Sequence, residues 1–140
     1  MAIGLDNCGL RELAVRGDER GSLIAIEARA DVPFDIARVY YIFGTQLGVD
    51  RGFHAHSALQ QWAICVAGSC VMTLDDSRKR RAFALDRPDV ALQIGPMVWR
   101  EMRDFSADAV LMVIASERYD RTDYIHDYAQ FVAAAQAQAA

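Results

Sequence analysis

The sequence predicts an all-β domain, a sandwich or barrel closed by one short helix. Three features carry that expectation. Segments rich in Val, Ile, Leu, Tyr and Phe recur about every ten residues; Gly, Pro, Asp or Ser separates them; and helical periodicity is confined to the tail. The expected strands are SLIAIEA (22–28), ARVYYIF (37–43), GFHAH (52–56), LQQWAICV (59–66), SCVMTLD (69–75), RAFAL (81–85), VALQI (90–94), MVWREM (97–102) and AVLMVIA (109–115). VPF (32–34), DRPD (86–89) and IGP (94–96) mark turns, because proline fixes its own φ and cannot donate to a ladder. In RTDYIHDYAQFVAAAQAQAA (121–140), Thr122 or Asp123 would cap a helix over about 121–135, with Ile125, Tyr128 and Val132 on one face and the last few residues frayed.

Length and composition narrow the class. A chain of 140 residues, 53% apolar and 24% charged, is a single domain (1–140) with enough apolar surface for one core and too much to be disordered. The longest apolar runs, AVLMVIA (109–115) and WAICVAG (62–68), fall far short of the roughly 20 residues of a membrane span, so no membrane partner is expected. The first residues mix charges into short apolar stretches, unlike a secretory signal. Cys8, Cys65 and Cys70 have neither pairing nor zinc spacing, which fits a reducing cytoplasm. A net charge of −4 argues against nucleic acid, and the lone basic run RKRR (78–81) follows LDDS at an expected hairpin turn.

Within this frame the stretch HAHSALQQ (54–61) stands out. Side chains two apart on a strand share a face, so His54 and His56 project side by side, close to Arg51 and Gln61. The spacing of Gly48, His54, His56, Gln61 and Gly68 resembles the first signature motif of the cupins, with Gln61 where metal-binding cupins carry glutamate. Those cupins draw a third histidine from a later motif, but RPDVALQIGPMVWREM (87–102) contains none. Two imidazoles and a neutral amide make a poor site for a divalent ion, so no metal or other cofactor is expected. An imidazole released from metal is suited to move protons near neutral pH.

Several blocks extend the resemblance. RGSLIAIE (20–27), VPFDIARVYYIFGT (32–45), RGFHAHSALQQ (51–61), GSCVMTLDD (68–76) and MRDFSADAVLMVIASERYDRTDYIHDY (102–128) are together similar to the cupin-type dTDP-4-keto-6-deoxyglucose 3,4-ketoisomerases, over about residues 13 to 131. That resemblance implies a cupin jelly-roll barrel forming a homodimer, often with exchanged N-terminal strands. It also implies a dTDP-linked 4-keto-6-deoxy sugar as substrate, isomerised to the 3-keto sugar without metal or organic cofactor. One departure is visible: the family usually has glycine after the two aspartates of GSCVMTLDD, where this chain has Ser77.

The chemistry can be laid onto residues. Moving a carbonyl from C4 to C3 needs a base for the C3 proton, an enediol, and return of a proton to C4; His54 and His56 fit by type and spacing, with His54 preferred as the carbon base. Alternation groups Arg38, Tyr40 and Ile42 on one face and Val39, Tyr41 and Phe43 on the other, and the more polar set suits a ligand-lined interior, so Tyr40 is chosen as the donor to the enediolate. Arg20, Arg51 and Arg38 are candidates for the diphosphate, and Gln61 for the sugar. Trp62 and Trp99 are read as packing residues, Asp75 and Asp76 as turn residues, and Tyr124, Asp127 and Tyr128 as docking the helix. Two other readings stay open: an epimerase of the same class, and a non-catalytic cupin that binds a sugar or metal.

Overall fold

The computed structural model describes residues 4–139. Among these residues a 3-10 turn, Gly4–Asn7, precedes twelve strands and one helix, and a second 3-10 turn lies between the last two strands. In chain order they are β1 (Gly9–Glu12), β2 (Arg16–Asp18), β3 (Gly21–Leu23), β4 (Arg38–Ile42), β5 (Arg51–His56), β6 (Gln61–Ala67), β7 (Cys70–Asp75), β8 (Arg80–Leu85), β9 (Val90–Ile94), β10 (Trp99–Arg103), β11 (Val110–Ala115), β12 (Tyr124–Ile125) and α1 (Tyr128–Ala139). Two five-stranded antiparallel sheets, β1-β9-β6-β11-β4 and β12-β5-β10-β7-β8, face each other as a jelly roll, with β2-β3 as a separate hairpin.

Alternation along the strands builds the core. Ala63 and Cys65 of β6, Leu111 and Val113 of β11, Met72 and Leu74 of β7 and Met102 of β10 fill the space between the sheets. Trp62, Ile64 and Ile114 point the other way from the same strands, and Val32, Phe34 and Ile26 cover them. A third cluster lies under α1, where Phe131 and Ala135 press on Ala55, Met97 and Trp99. Both tryptophans are therefore packing residues. The Trp99 indole donates to Glu101 Oε2 at 3.1 Å.

The nine expected strands all carry ladder residues, with adjusted ends. The stretch 22–28 pairs with β2 only through Ser22 and Leu23, and then leaves the ladder, apart from a single bridge of Ala28 to Val32, so that Ile26 can cover the outer sheet face. Strand 97–102 starts at Trp99 because Met97 sits at φ 59°, outside the β region. Strands β1, β2 and β12 were not foreseen. The expected helix over 121–135 is shorter at its start: Arg121–Asp123 forms a 3-10 turn capped by Asp120, and Tyr124 and Ile125 pair with β5 instead. Asp127 caps α1, its carboxylate accepting from Gln130 N at 2.9 Å, and the helix runs to Ala139; Ala140, in the segment expected to fray, lies outside the described residues. Among the described residues no helix is long and apolar enough to cross a membrane.

Asp75 and Asp76 shape the β7–β8 turn as expected. Asp75 accepts from Ser77 N at 2.7 Å, and Asp76 from the backbone of Arg78 and Lys79 at 2.9 and 2.7 Å. Ser77 sits at φ 78°, a left-handed position at which glycine would be free of strain.

Candidate active site

One irregularity aims the histidines. Between β5 and β10 the register shifts, Arg100 pairing with His54 while Glu101 pairs with Gly52, so Phe53 is the extra residue of a bulge and takes φ 57°. Gly52, at φ 94°, is required there: a Cβ would lie 2.9 Å from the Arg100 carbonyl oxygen. Beyond the bulge, Ala55 turns outward beneath α1, and His54 and His56 turn into the barrel with ring centroids 4.9 Å apart. Met97 N donates to the His56 carbonyl at 2.7 Å and fastens the end of the strand.

Four other strands surround the pair. Arg100 lies directly across from His54 on β10 and is 2% exposed. Among the described residues no carboxylate neutralises it through an ion pair: it donates to Gln61 Oε1 and, at 3.2 Å, to the Val98 carbonyl. Gln61, at the start of β6, donates in turn to the Tyr40 hydroxyl at 3.1 Å. On β4, Tyr40 is half-buried whereas Tyr41 is 64% exposed, as the alternation requires. The Arg38 guanidinium stands 4.6 Å from the Tyr40 ring centroid and 5.3 Å from that of Tyr119. From β12, Tyr124 sets its ring 4.3 Å from His56 and 5.0 Å from His54, and stacks on His126 at 5.4 Å. A cavity of about 730 Å³ opens beside this cluster, walled by His56, Arg38, Tyr119, Asp123, Tyr124 and Arg118 among others.

The two imidazoles differ. His54 Nδ1 lies 3.1 Å from the Gly52 carbonyl, which can only accept, so Nδ1 carries the proton and Nε2 keeps its lone pair. Burial, and then the Arg100 cation, lower the His54 pKa from 6.5 to about 4. The same causes in the same order take His56, 1% exposed, to about 2. Among the described residues neither ring nitrogen of His56 has a hydrogen-bond partner, Asp123 Oδ2 approaching Nδ1 no closer than 3.5 Å. Both rings are therefore neutral at pH 7.

This arrangement has a consequence for stability. A histidine whose folded pKa lies below the unfolded value of 6.5 binds protons more readily in the unfolded chain, so stability falls as pH drops through that window. Between pH 6.5 and 4 the His54 contribution, discounted for its partial exposure, is on the order of 2–3 kcal/mol. Thermal midpoints should decline across this range and flatten above it, and His54→Asn should shrink the decline; a midpoint constant from pH 7 to 4.5 would contradict the assignment.

Of the residues singled out from sequence, His54, His56, Tyr40, Gln61 and Arg38 come together here. Arg51 is exposed at the start of β5 and does not line the cavity. Arg20 stands on the β2–β3 hairpin, its side chain 85% exposed and bound to Asp18 at 2.6 Å, and this chain does not bring it to the histidines. Arg100 was missed; its place opposite His54 follows only from the bulged register. Tyr124 and His126 were assigned to the helix and instead precede it, because pairing with β5 draws Tyr124 level with His56. Asp127 and Tyr128 do hold the helix, Tyr128 donating to Asp75 Oδ2 at 2.8 Å. Among the described residues no three His, Cys, Asp or Glu side chains gather so as to hold a metal ion.

The chain resembles known proteins over nearly its whole length. A family profile described as FdtA: WxcM-like, C-terminal, matches residues 6–136. The TDP-4-oxo-6-deoxy-alpha-D-glucose-3,4-oxoisomerase of Aneurinibacillus thermoaerophilus is 54% identical over 114 residues, 81% of this chain and 82% of that one. Among solved structures, QdtA, a sugar 3,4-ketoisomerase from Thermoanaerobacterium thermosaccharolyticum in complex with TDP, gives a TM-score of 0.93 at 42% identity, covering 96% of this chain and 98% of that one. The TDP-quinovose 3,4-ketoisomerase WlaRB from Campylobacter jejuni gives 0.88 at 46% identity, covering 91% and 98%.

Proposed function

The chain belongs to the FdtA-type, WxcM-like family of cupin sugar 3,4-ketoisomerases, and we propose that it moves the keto group of a dTDP-linked 4-keto-6-deoxy-hexose from C4 to C3. The observation that carries the mechanism is the neutral imidazole pair, His56 in the cavity wall and His54 beside it at 4.9 Å, with the His54 tautomer fixed. His54 Nε2 takes the C3 proton, which the adjacent ketone acidifies, and the electron pair moves into a C3–C4 enediolate. After the proton on His54 exchanges with solvent, a proton is delivered to C4, while the proton of the C3 hydroxyl passes to the former carbonyl oxygen by way of His56. Tyr40 donates a hydrogen bond to the oxygen that becomes negative.

His54 is preferred over His56 as the carbon base on two grounds. It is the more basic of the two, and it is the less buried. The reading needs no metal: Arg100, Arg38 and the tyrosine hydroxyls supply positive charge and donors where the enediolate forms. Arg38 lines the cavity wall, and in this reading it meets the diphosphate.

A homodimer is part of the proposal. Val39 and Tyr41 of β4, and Phe43 just beyond its end, are 53, 64 and 68% exposed, apolar surface that a second copy would cover. Arg20 and Arg51 would meet substrate only across such an interface. A cytoplasmic location is part of the same reading, given cysteines without pairing spacing.

Incubation with dTDP-4-keto-6-deoxyglucose in deuterated water tests the reaction. The expected product is a 3-keto sugar carrying deuterium at C4, read by NMR. An unmoved ketone with C3 or C5 inverted would assign an epimerase instead, and neither isomerisation nor label would overturn both.

A further inference from the structure

The buried chain of Arg100, Gln61 and Tyr40 has only one sense. A guanidinium has donors and no acceptor, so Arg100 must meet Gln61 through the amide oxygen. That contact turns the Gln61 NH2 group toward Tyr40, and an NH2 group can only donate, so the Tyr40 hydroxyl accepts. Its own proton is left over. Among the described residues the hydroxyl donates to no protein group, and it belongs to the same strand face as Arg38 at the cavity wall.

We infer that Arg100 and Gln61 form a polarity lock, positioning residues that make Tyr40 an obligate hydrogen-bond donor to the substrate oxygen. The inference rests on the ketoisomerase reading above and adds what Gln61 is for. Arg100 is 2% exposed and Gln61 2%, so neither amide rotation nor a competing water readily reverses the chain. Gln61 stands where metal-binding cupins carry glutamate, and the lock gives a reason for the amide. A carboxylate there would pair with Arg100 on one side and, having no proton to give, would take the Tyr40 hydroxyl proton as a hydrogen bond on the other. Tyr40 would then face the substrate as an acceptor, and lose its function.

Gln61→Glu and Gln61→Met separate this lock from a merely structural role, since the two predict opposite orders. If Gln61 only satisfies Arg100, glutamate is the milder change and methionine, which leaves a buried cation unpaired, the harsher one. The lock predicts that Gln61→Glu, assayed with chelator present, loses about 100-fold or more in kcat with KM little changed. Gln61→Met, which leaves the Tyr40 proton free, should keep kcat within about tenfold of the parent provided its thermal midpoint shows it folded. Tyr40→Phe should lose kcat comparably, and Tyr40→Phe/Gln61→Glu should lose nearly no more than Tyr40→Phe alone, because the same hydrogen bond is removed twice. Near-parental kcat in Gln61→Glu, or losses that multiply in the double variant, would overturn the lock. Should the unsubstituted protein not isomerise the sugar at all, the ketoisomerase reading itself falls; turnover in that protein alongside an unimpaired Gln61→Glu sinks the lock alone.

Discussion

His54→Asn is expected to lower kcat for ketone migration by about 10²–10⁴-fold, the usual contribution of a general base, while leaving KM within a few fold. Asparagine is chosen because its amide NH2 can still donate to the Gly52 carbonyl, as Nδ1 does now at 3.1 Å, so the bulge and the strand end keep their support. What disappears is the lone pair at Nε2. Deuterium uptake from solvent should fall in parallel with turnover, since both pass through the enediolate. The corresponding acid limb is displaced: with His54 at about 4, kcat/KM of the free enzyme should hold down to roughly pH 5, well below the midpoint of an ordinary imidazole. Retention of more than a tenth of the parental kcat in His54→Asn would shift the carbon base to His56.

Much of this site could be read from period-two alternation alone. Tyr40 inside with Tyr41 outside, and His54 and His56 on one face, follow from strand geometry once the strands are placed. Arg100 could not be found that way, because in VWREMR each face mixes charged and apolar residues, Val98, Arg100 and Met102 against Trp99, Glu101 and Arg103, and the pattern does not say which of the two encloses a ligand. Trp99, Glu101 and Arg103 in fact point away from the barrel interior, where the tryptophan is covered by α1, and Arg100 shares the interior with Met102. The tail misled for a related reason. Tyr124 and Ile125 have a helical setting in sequence, but the open edge of β5 offers them ladder hydrogen bonds, and tertiary pairing outweighs a weak local preference. The N-terminal strands β1 and β2, GLRE and RGD, lack the apolar alternation by which strands are recognised, since they lie at an edge and in an exposed hairpin.

Phe131→Ala carries the largest expected effect on stability, and it connects the helix to the chemistry. Phe131 is fully buried between α1 and the outer face of the second sheet, its ring 5.9 Å from that of Trp99 and 5.8 Å from that of Tyr128. Truncating such a phenylalanine costs about 3–5 kcal/mol, the lost transfer energy plus the cavity left behind. For a domain of this size that corresponds to a fall in thermal midpoint of roughly 10–15 °C. α1 begins three residues after Ile125, and β12, two residues long, is held by β5 on one side and by the helix that follows it. Loosening the helix should therefore release Tyr124 from its place 4.3 Å from His56, admit water to the imidazole pair and raise the pKa values that burial now depresses. The expected signature is a kcat loss of about tenfold at a temperature where the variant is still folded, together with an acid limb moved toward pH 6. A variant that lost the midpoint but kept both kcat and the pH profile would make α1 a stabilising cap with no hold on the site.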